Sequence, residues 1–102
     1  MSEVFYCGED ANRVSVREGD IRRPLVPRPD LHDHATIRFG WGRGEGDPAQ
    51  LSVALLADAL GDDSRALRLQ QRFKSQVVSN LPKRWVMSRS RVLAYVRMME
   101  RP

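Results

Sequence analysis

Hydrophobic and polar positions change their spacing once along this chain, near residue 47. Before it the pattern is that of strands. Val4, Phe5, Tyr6 and Cys7 favour extended backbone, Gly8 to Asn12 supply turn residues, and "RVSV" from Arg13 alternates before Glu18, Gly19 and Asp20 close the unit. This stretch predicts a β-hairpin. Pro24, Pro27 and Pro29 then remove backbone donors and bias the residues before them away from helix, which predicts an extended crossing over residues 21–37. A short third strand is expected at residues 35–39, with Ile37 and Phe39 on one side and Thr36 and Arg38 on the other.

After residue 47 the spacing becomes helical. Asp47 can accept the first free amides of a helix while Pro48, at its first position, lacks no needed donor. Leu51, Val53, Ala54, Leu55, Leu56, Ala59 and Leu60 make this helix apolar nearly all round, so it should be the central one, stopped by Gly61. Asp62 or Asp63 caps a second helix reaching to about Asn80, with Ala66, Leu69, Phe73 and Val77 inward and Arg65, Arg68, Arg72 and Ser75 or Ser79 on the other side. Pro82 follows that helix, "RWVM" is a brief extended link, and Ser88 caps a third helix with Val92, Leu93, Val96 and Met99 facing in and Arg89, Arg97 and Arg101 facing elsewhere. The expected fold is α+β: a small antiparallel β-sheet from the N-terminal half packed on two to three α-helices from the C-terminal half, as a single domain over residues 1–102. Trp85 and Tyr95 among basic residues would serve nucleic-acid binding if exposed, but core packing is the favoured reading of lone aromatics among apolar neighbours.

Charge adds a polarity to this picture. Residues 1–48 carry seven basic and nine acidic side chains, a balance of −2, whereas residues 49–102 carry ten and four, a balance of +6. The positive field therefore belongs to the helical half, which would attract polyanions or an acidic protein surface. No run reaches the roughly 20 apolar residues of a membrane span and the first ten residues have no leader pattern, so a soluble, cytoplasmic protein without membrane partners is expected. Cys7 is the single cysteine, which excludes an intrachain disulfide and any cysteine-based zinc site.

The candidate chemistry is thin. Gly42, Gly44 and Gly46 precede a helix, as in phosphate-cradling loops. However, Asp47-Pro48 stands where a Walker loop needs Lys and Ser or Thr, Asp47 occupies the third glycine of the dinucleotide fingerprint, and Glu45 and Asp47 would repel a phosphate. The loop reads as a tight turn, with Trp41 filling space against the central helix. His32, Asp33 and His34 form the one constellation with metal-ligand spacing, the basis of a metal-dependent hydrolase reading, against which stands a hydrogen-bonded loop histidine. Cys7 sits in a strand, and no serine has a neighbouring histidine in sequence. We therefore expect no catalytic residues, no cofactor and no resident metal.

One combination of residues is specific. Tyr6 and Gly8, His34, Phe39, Trp41, Gly42, Gly44, Pro48, Ala49, Gln50, Leu51 and the "LLAD" of Leu55 to Asp58, with Phe73-Lys74 and Trp85 beyond, resemble a family of small uncharacterised bacterial domains met in phages, plasmids and integrative elements. The chain departs from that pattern where "ATIR" replaces Ser-Pro-Thr-Gly after the histidine, and where Glu45, Gly46 and Asp47 replace Gly, Ser and Gly. The resemblance implies no catalytic residues. It implies the setting of a mobile element, hence the expectation of a non-enzymatic binding protein that inhibits a host nucleic-acid-directed defence complex, with CRISPR inhibition as the named case. The alternative is a basic DNA- or RNA-binding accessory protein. For either, the expected contacts are Arg65, Arg68, Arg72, Lys74, Arg89, Arg97 and Arg101 on the helices and Glu45 and Asp47 on the loop, with Phe39, Trp41, Gly42, Gly44, Pro48 and Gln50 as structural motif. A monomer is expected, since exposed ion pairs contribute only about 0–1 kcal/mol each. The alternative is a weak dimer between the acidic loop and the basic helices, and a dimer that persisted in moderate salt would point instead to a hydrophobic interface at Tyr95, Met98 and Met99.

Overall fold

The computed structural model describes residues 3–9, 12–32 and 38–101. Its strands are β1 (Val4–Gly8), β2 (Val14–Glu18), β3 (Ile21–Pro24) and β4 (Trp85–Ser88), and its helices α1 (Pro48–Leu60), α2 (Asp63–Gln76) and α3 (Arg89–Met99). The strands form one antiparallel sheet in the order β3-β2-β1-β4, and the helices cover one face of it, an α+β fold. No helix among the described residues is long and apolar enough to cross a membrane.

The hairpin forms because alternate residues are apolar on one side. Val4 and Tyr6 of β1, Val14 and Val16 of β2, and Trp85 and Met87 of β4 are buried against the helices, as the two-residue period of a strand requires. Two elements differ from the expectation. The third strand of the sheet is Ile21–Pro24, inside the stretch expected as an extended crossing: a two-residue turn at Gly19 and Asp20 returns the chain along β2, pairing Glu18 with Ile21 and Ser15 with Pro24. Pro24 is tolerated there because β3 is an edge strand. Residues 35–37 of the expected strand lie outside the described residues, and Phe39 makes an isolated parallel bridge to Asp47. The "RWVM" segment is likewise more than a link, since Trp85 to Ser88 pair with Gly8 to Phe5 and complete the sheet.

Helix α1 is the core of the molecule. Leu51, Val53, Leu55 and Leu56 are all 0% exposed, and burying each contributes roughly 1.5–3 kcal/mol. Asp47 caps it by accepting from the amides of Ala49 and Gln50, and Gly61 ends it in the left-handed conformation. Gln50, also fully buried, donates to the carbonyls of Pro27 (2.6 Å) and Arg28 (3.3 Å) and so ties the proline-rich crossing to α1. Helix α2 is capped by Asp62, ends at Gln76 and is followed by a separate 3₁₀ turn at Val78–Asn80 instead of running on to Asn80. The amide of Gly42 bonds the Val78 carbonyl at 3.0 Å and holds that turn against the glycine loop. Ser88 caps α3, whose Val92, Val96 and Met99 are buried while Leu93 is half-buried.

Candidate functional site

The glycine loop is a structural joint. The amides of Gly40, Gly42 and Gly44 donate to the carbonyls of Asp47, Val78 and Trp41, and that of Asp47 to Arg38, so these donors are committed inside the fold. Gly42 has φ +57°, and a Cβ there would stand 2.4 Å from the Leu81 carbonyl oxygen. Gly46 has φ +107°, and a Cβ there would stand 2.3 Å from the Phe39 oxygen. Backbone passing this close to backbone excludes any side chain. Trp41 packs edge-on against buried Trp85, with centroids 5.7 Å apart, and donates its indole N–H to the Lys83 carbonyl. The indole of Trp85 in turn lies over Gly8.

Asn12 pins the hairpin to this joint. It takes the left-handed conformation (φ +63°) that asparagine adopts more readily than most residues. Its amide donates to the carbonyls of Phe39 and Glu45 (2.8 Å), and its Oδ1 accepts from Arg38 at 2.7 Å. The result is a groove of about 580 Å³ between β2, β3 and the segment around Arg38, with Val14, Leu25 and Phe39 as apolar floor and Arg13, Arg22, Arg23 and Arg38 around it. All four arginines are exposed, and among the described residues Glu9 is the one carboxylate in the lining. Arg22 bonds Glu9 at 2.8 Å and Ser15 at 3.3 Å. The volume is that of a small-ligand or one-segment binding cleft, and the charge on it is positive.

Behind the groove a polar network fixes one of these arginines. Arg23 bonds Asp58 Oδ1 at 3.0 Å, the Tyr6 hydroxyl donates to Asp58 Oδ2 at 2.7 Å, and Arg89 reaches the same oxygen at 3.4 Å. Burial alone would raise the Asp58 carboxyl, but the Tyr6 hydroxyl and Arg23, with Arg89 beyond, outweigh it and hold the group below the usual carboxylate range. Burial, together with the Asp58 charge, pushes the Tyr6 hydroxyl well above its ordinary value despite Arg89.

The residues expected from sequence to form the site are dispersed. Arg65 is taken up by Glu100 at 2.6 Å, Arg72 donates to the Met99 carbonyl at 2.6 Å, and Arg89 turns inward to Asp58 and Tyr6. Arg68, Arg97 and Arg101 are exposed and Lys74 half-buried. On the loop Glu45 is exposed, whereas Asp47 turns back onto α1 and receives His32 Nε2 at 2.9 Å. Burial opposes ionisation of Asp47, yet His32 and the amides of Gln50 and Ala49 keep its carboxyl low. His32 also lies 3.4 Å from Gln70, so it acts as a latch between the crossing, α1 and α2. Asp33 and His34 lie outside the described residues, and among the described residues no group of three His, Cys, Asp or Glu could hold a metal ion. Trp85 is buried at 6% exposure, not displayed, and Tyr95 is half-buried and packs edge-on to Phe73. Cys7 is buried in β1 and Met99 in the core, while Met98 is 66% exposed.

Sequence reasoning missed Arg13, Arg22, Arg23 and Arg38. The signal that finds them is register: once residues 21–24 are read as a strand, Arg22 and Arg23 fall opposite Arg17 and Val16, next to Ser15. A family model described as a family of unknown function (DUF6166) matches residues 6–98. No curated protein and no solved structure matches the chain.

Proposed function

The chain belongs to the DUF6166 family of unknown function, and from that premise, which assigns no activity, we propose that it is a non-enzymatic nucleic-acid-binding accessory protein of a phage or other mobile element. The observation that carries the reading is the groove, where four exposed arginines surround an apolar floor with a single carboxylate among the described lining residues. Guanidinium groups suit phosphate better than any other side chain, because their planar donors match its oxygens. The mobile-element setting rests on the sequence resemblance. On the helical face Arg65 and Arg72 satisfy acceptors at the end of α3, as Arg22, Arg23 and Arg38 of the groove satisfy Glu9, Asp58 and Asn12, so what favours the groove is its concavity and apolar floor.

The test is fluorescence polarisation with labelled oligonucleotides over a range of salt. With three to four phosphates neutralised, log K should fall against log salt with a slope of about −2 to −4. The paired substitution Arg13→Ala and Arg38→Ala should shrink that slope by one to two, whereas Arg65→Ala with Arg68→Ala should leave it unchanged. Two results would overturn the proposal. One is the absence of salt-dependent binding to any oligonucleotide. The other is capture of a protein complex from nuclease-treated host lysate by wild type and groove variant alike, which would favour the protein-directed defence inhibitor.

A further inference from the structure

The outer face of the sheet, turned away from the helices, continues the groove. Strand register lines up Ser88, Phe5, Arg17 and Arg22 in one row across β4, β1, β2 and β3, and Val86, Cys7, Ser15 and Pro24 in the next. None of these eight side chains is acidic. Arg22, Ser15 and Pro24 also line the groove, so the two surfaces are one. At the centre of the first row the Arg17 guanidinium lies over the Phe5 ring, 5.5 Å from its centroid. Phe5 is half-buried and Val86 is 63% exposed, so this face carries apolar area that the helices do not cover.

Resting on the nucleic-acid reading above, we infer that the partner is a single strand, whose phosphates follow the groove arginines and whose base stacks on the Phe5–Arg17 pair. Shape decides against a duplex. Reading a duplex through its major groove takes a projecting helix or ribbon that fits an opening about 12 Å wide, whereas here the arginines surround a concavity. A single strand needs a positive groove and a nearby π-surface, because any base can stack on an aromatic ring or on a guanidinium plane. Two strand spacings, about 10 Å, separate β3 from β1, which brings Arg22 and Phe5 within reach of one short segment.

The experiment compares single-stranded DNA, single-stranded RNA and duplex DNA of the same sequence against wild type, Phe5→Ala, Phe5→Leu and Phe5→Trp. Thermal unfolding confirms that each variant is folded. The inference expects either single strand to bind more tightly than duplex, and the DNA and RNA arms show which sugar is preferred. Phe5→Ala and Phe5→Leu should each weaken single-strand binding roughly 5- to 150-fold, the span of one lost base stack. Their salt slope should stay unchanged, and Phe5→Trp should restore affinity. Duplex binding equal to single-strand binding, or full affinity in Phe5→Ala, overturns this inference and leaves the groove reading intact. No salt-dependent binding in any arm overturns both.

Discussion

Replacing Asp58 by Ala removes the acceptor on which three elements converge. The Tyr6 hydroxyl belongs to a residue with 0% exposure and loses its partner, which costs about 1–3 kcal/mol for a buried donor left unsatisfied. Arg89 and Arg23 keep 35% and 45% of their side-chain surface, so water takes up most of what they lose, about 0–1 kcal/mol each. The total is about 1–5 kcal/mol. At about 2.1 cal/mol/K of unfolding entropy per residue, a chain of this size should lose roughly 5–23 °C in Tm. Tyr6→Phe removes the donor instead and leaves Asp58 its two arginines, so it should cost only about 1 kcal/mol. The assay is urea and thermal unfolding of both single variants and the double variant. Because the two residues touch, the double variant should be less destabilised than the sum of the singles by about 1 kcal/mol. An Asp58→Ala protein melting within about 3 °C of wild type, or strict additivity with Tyr6→Phe, would refute the network as a source of stability.

Gly42→Ala should destabilise by at least about 2 kcal/mol, since it adds a clash with the Leu81 carbonyl to a left-handed conformation. Gly44→Ala, whose Cβ would meet only the Trp41 oxygen at 3.4 Å, should be near neutral. Equal effects in urea titrations would contradict the loop geometry. Acid unfolding should follow Asp47 and Asp58, both depressed below 3.8 in the folded chain. Folded carboxylates bind protons more weakly than unfolded ones, so their contribution is complete above about pH 4 and is lost as pH falls through the folded values. Asp58→Asn should flatten that acid limb. Tyr6 has the opposite sign: raised above 10, its contribution is complete below that pH and declines above it, and Tyr6→Phe should flatten the alkaline limb.

What the sequence disclosed and what it withheld divide by range of interaction. The caps at Asp47, Asp62 and Ser88 and the stop at Gly61 are local signals and are found where the residues predict them, as are the inward positions of the helices apart from Leu93, which is half-buried, and Val77, which is buried just past the end of α2. Strand β3 was hidden because all four of its residues are exposed: an edge strand without an apolar face has no period to read. Strand β4 was hidden because its partner is β1, at the far end of the chain. The arginine groove was concealed for a related reason. Its residues lie in the half with net negative charge, and a balance taken along the sequence averages away what strand register brings together. The meeting of Tyr6 with Asp58 is likewise a long-range event, although both positions stood in the resemblance motif.

The pairing of Gly8 with Trp85 also sets a schedule for synthesis. Translation at about 5–20 residues per second places the last strand roughly 4–15 s after the first. Within that interval the hairpin of β1 and β2 can close, since hairpins form in microseconds, but one side of β1 has no neighbour. An unpaired edge of alternating apolar residues is the feature through which nascent chains associate with one another. The joining of β4 to β1 is therefore the step at which chaperone demand should concentrate, and variants that weaken the Trp85 end should show it first as insolubility during expression, before any loss of stability in the purified protein.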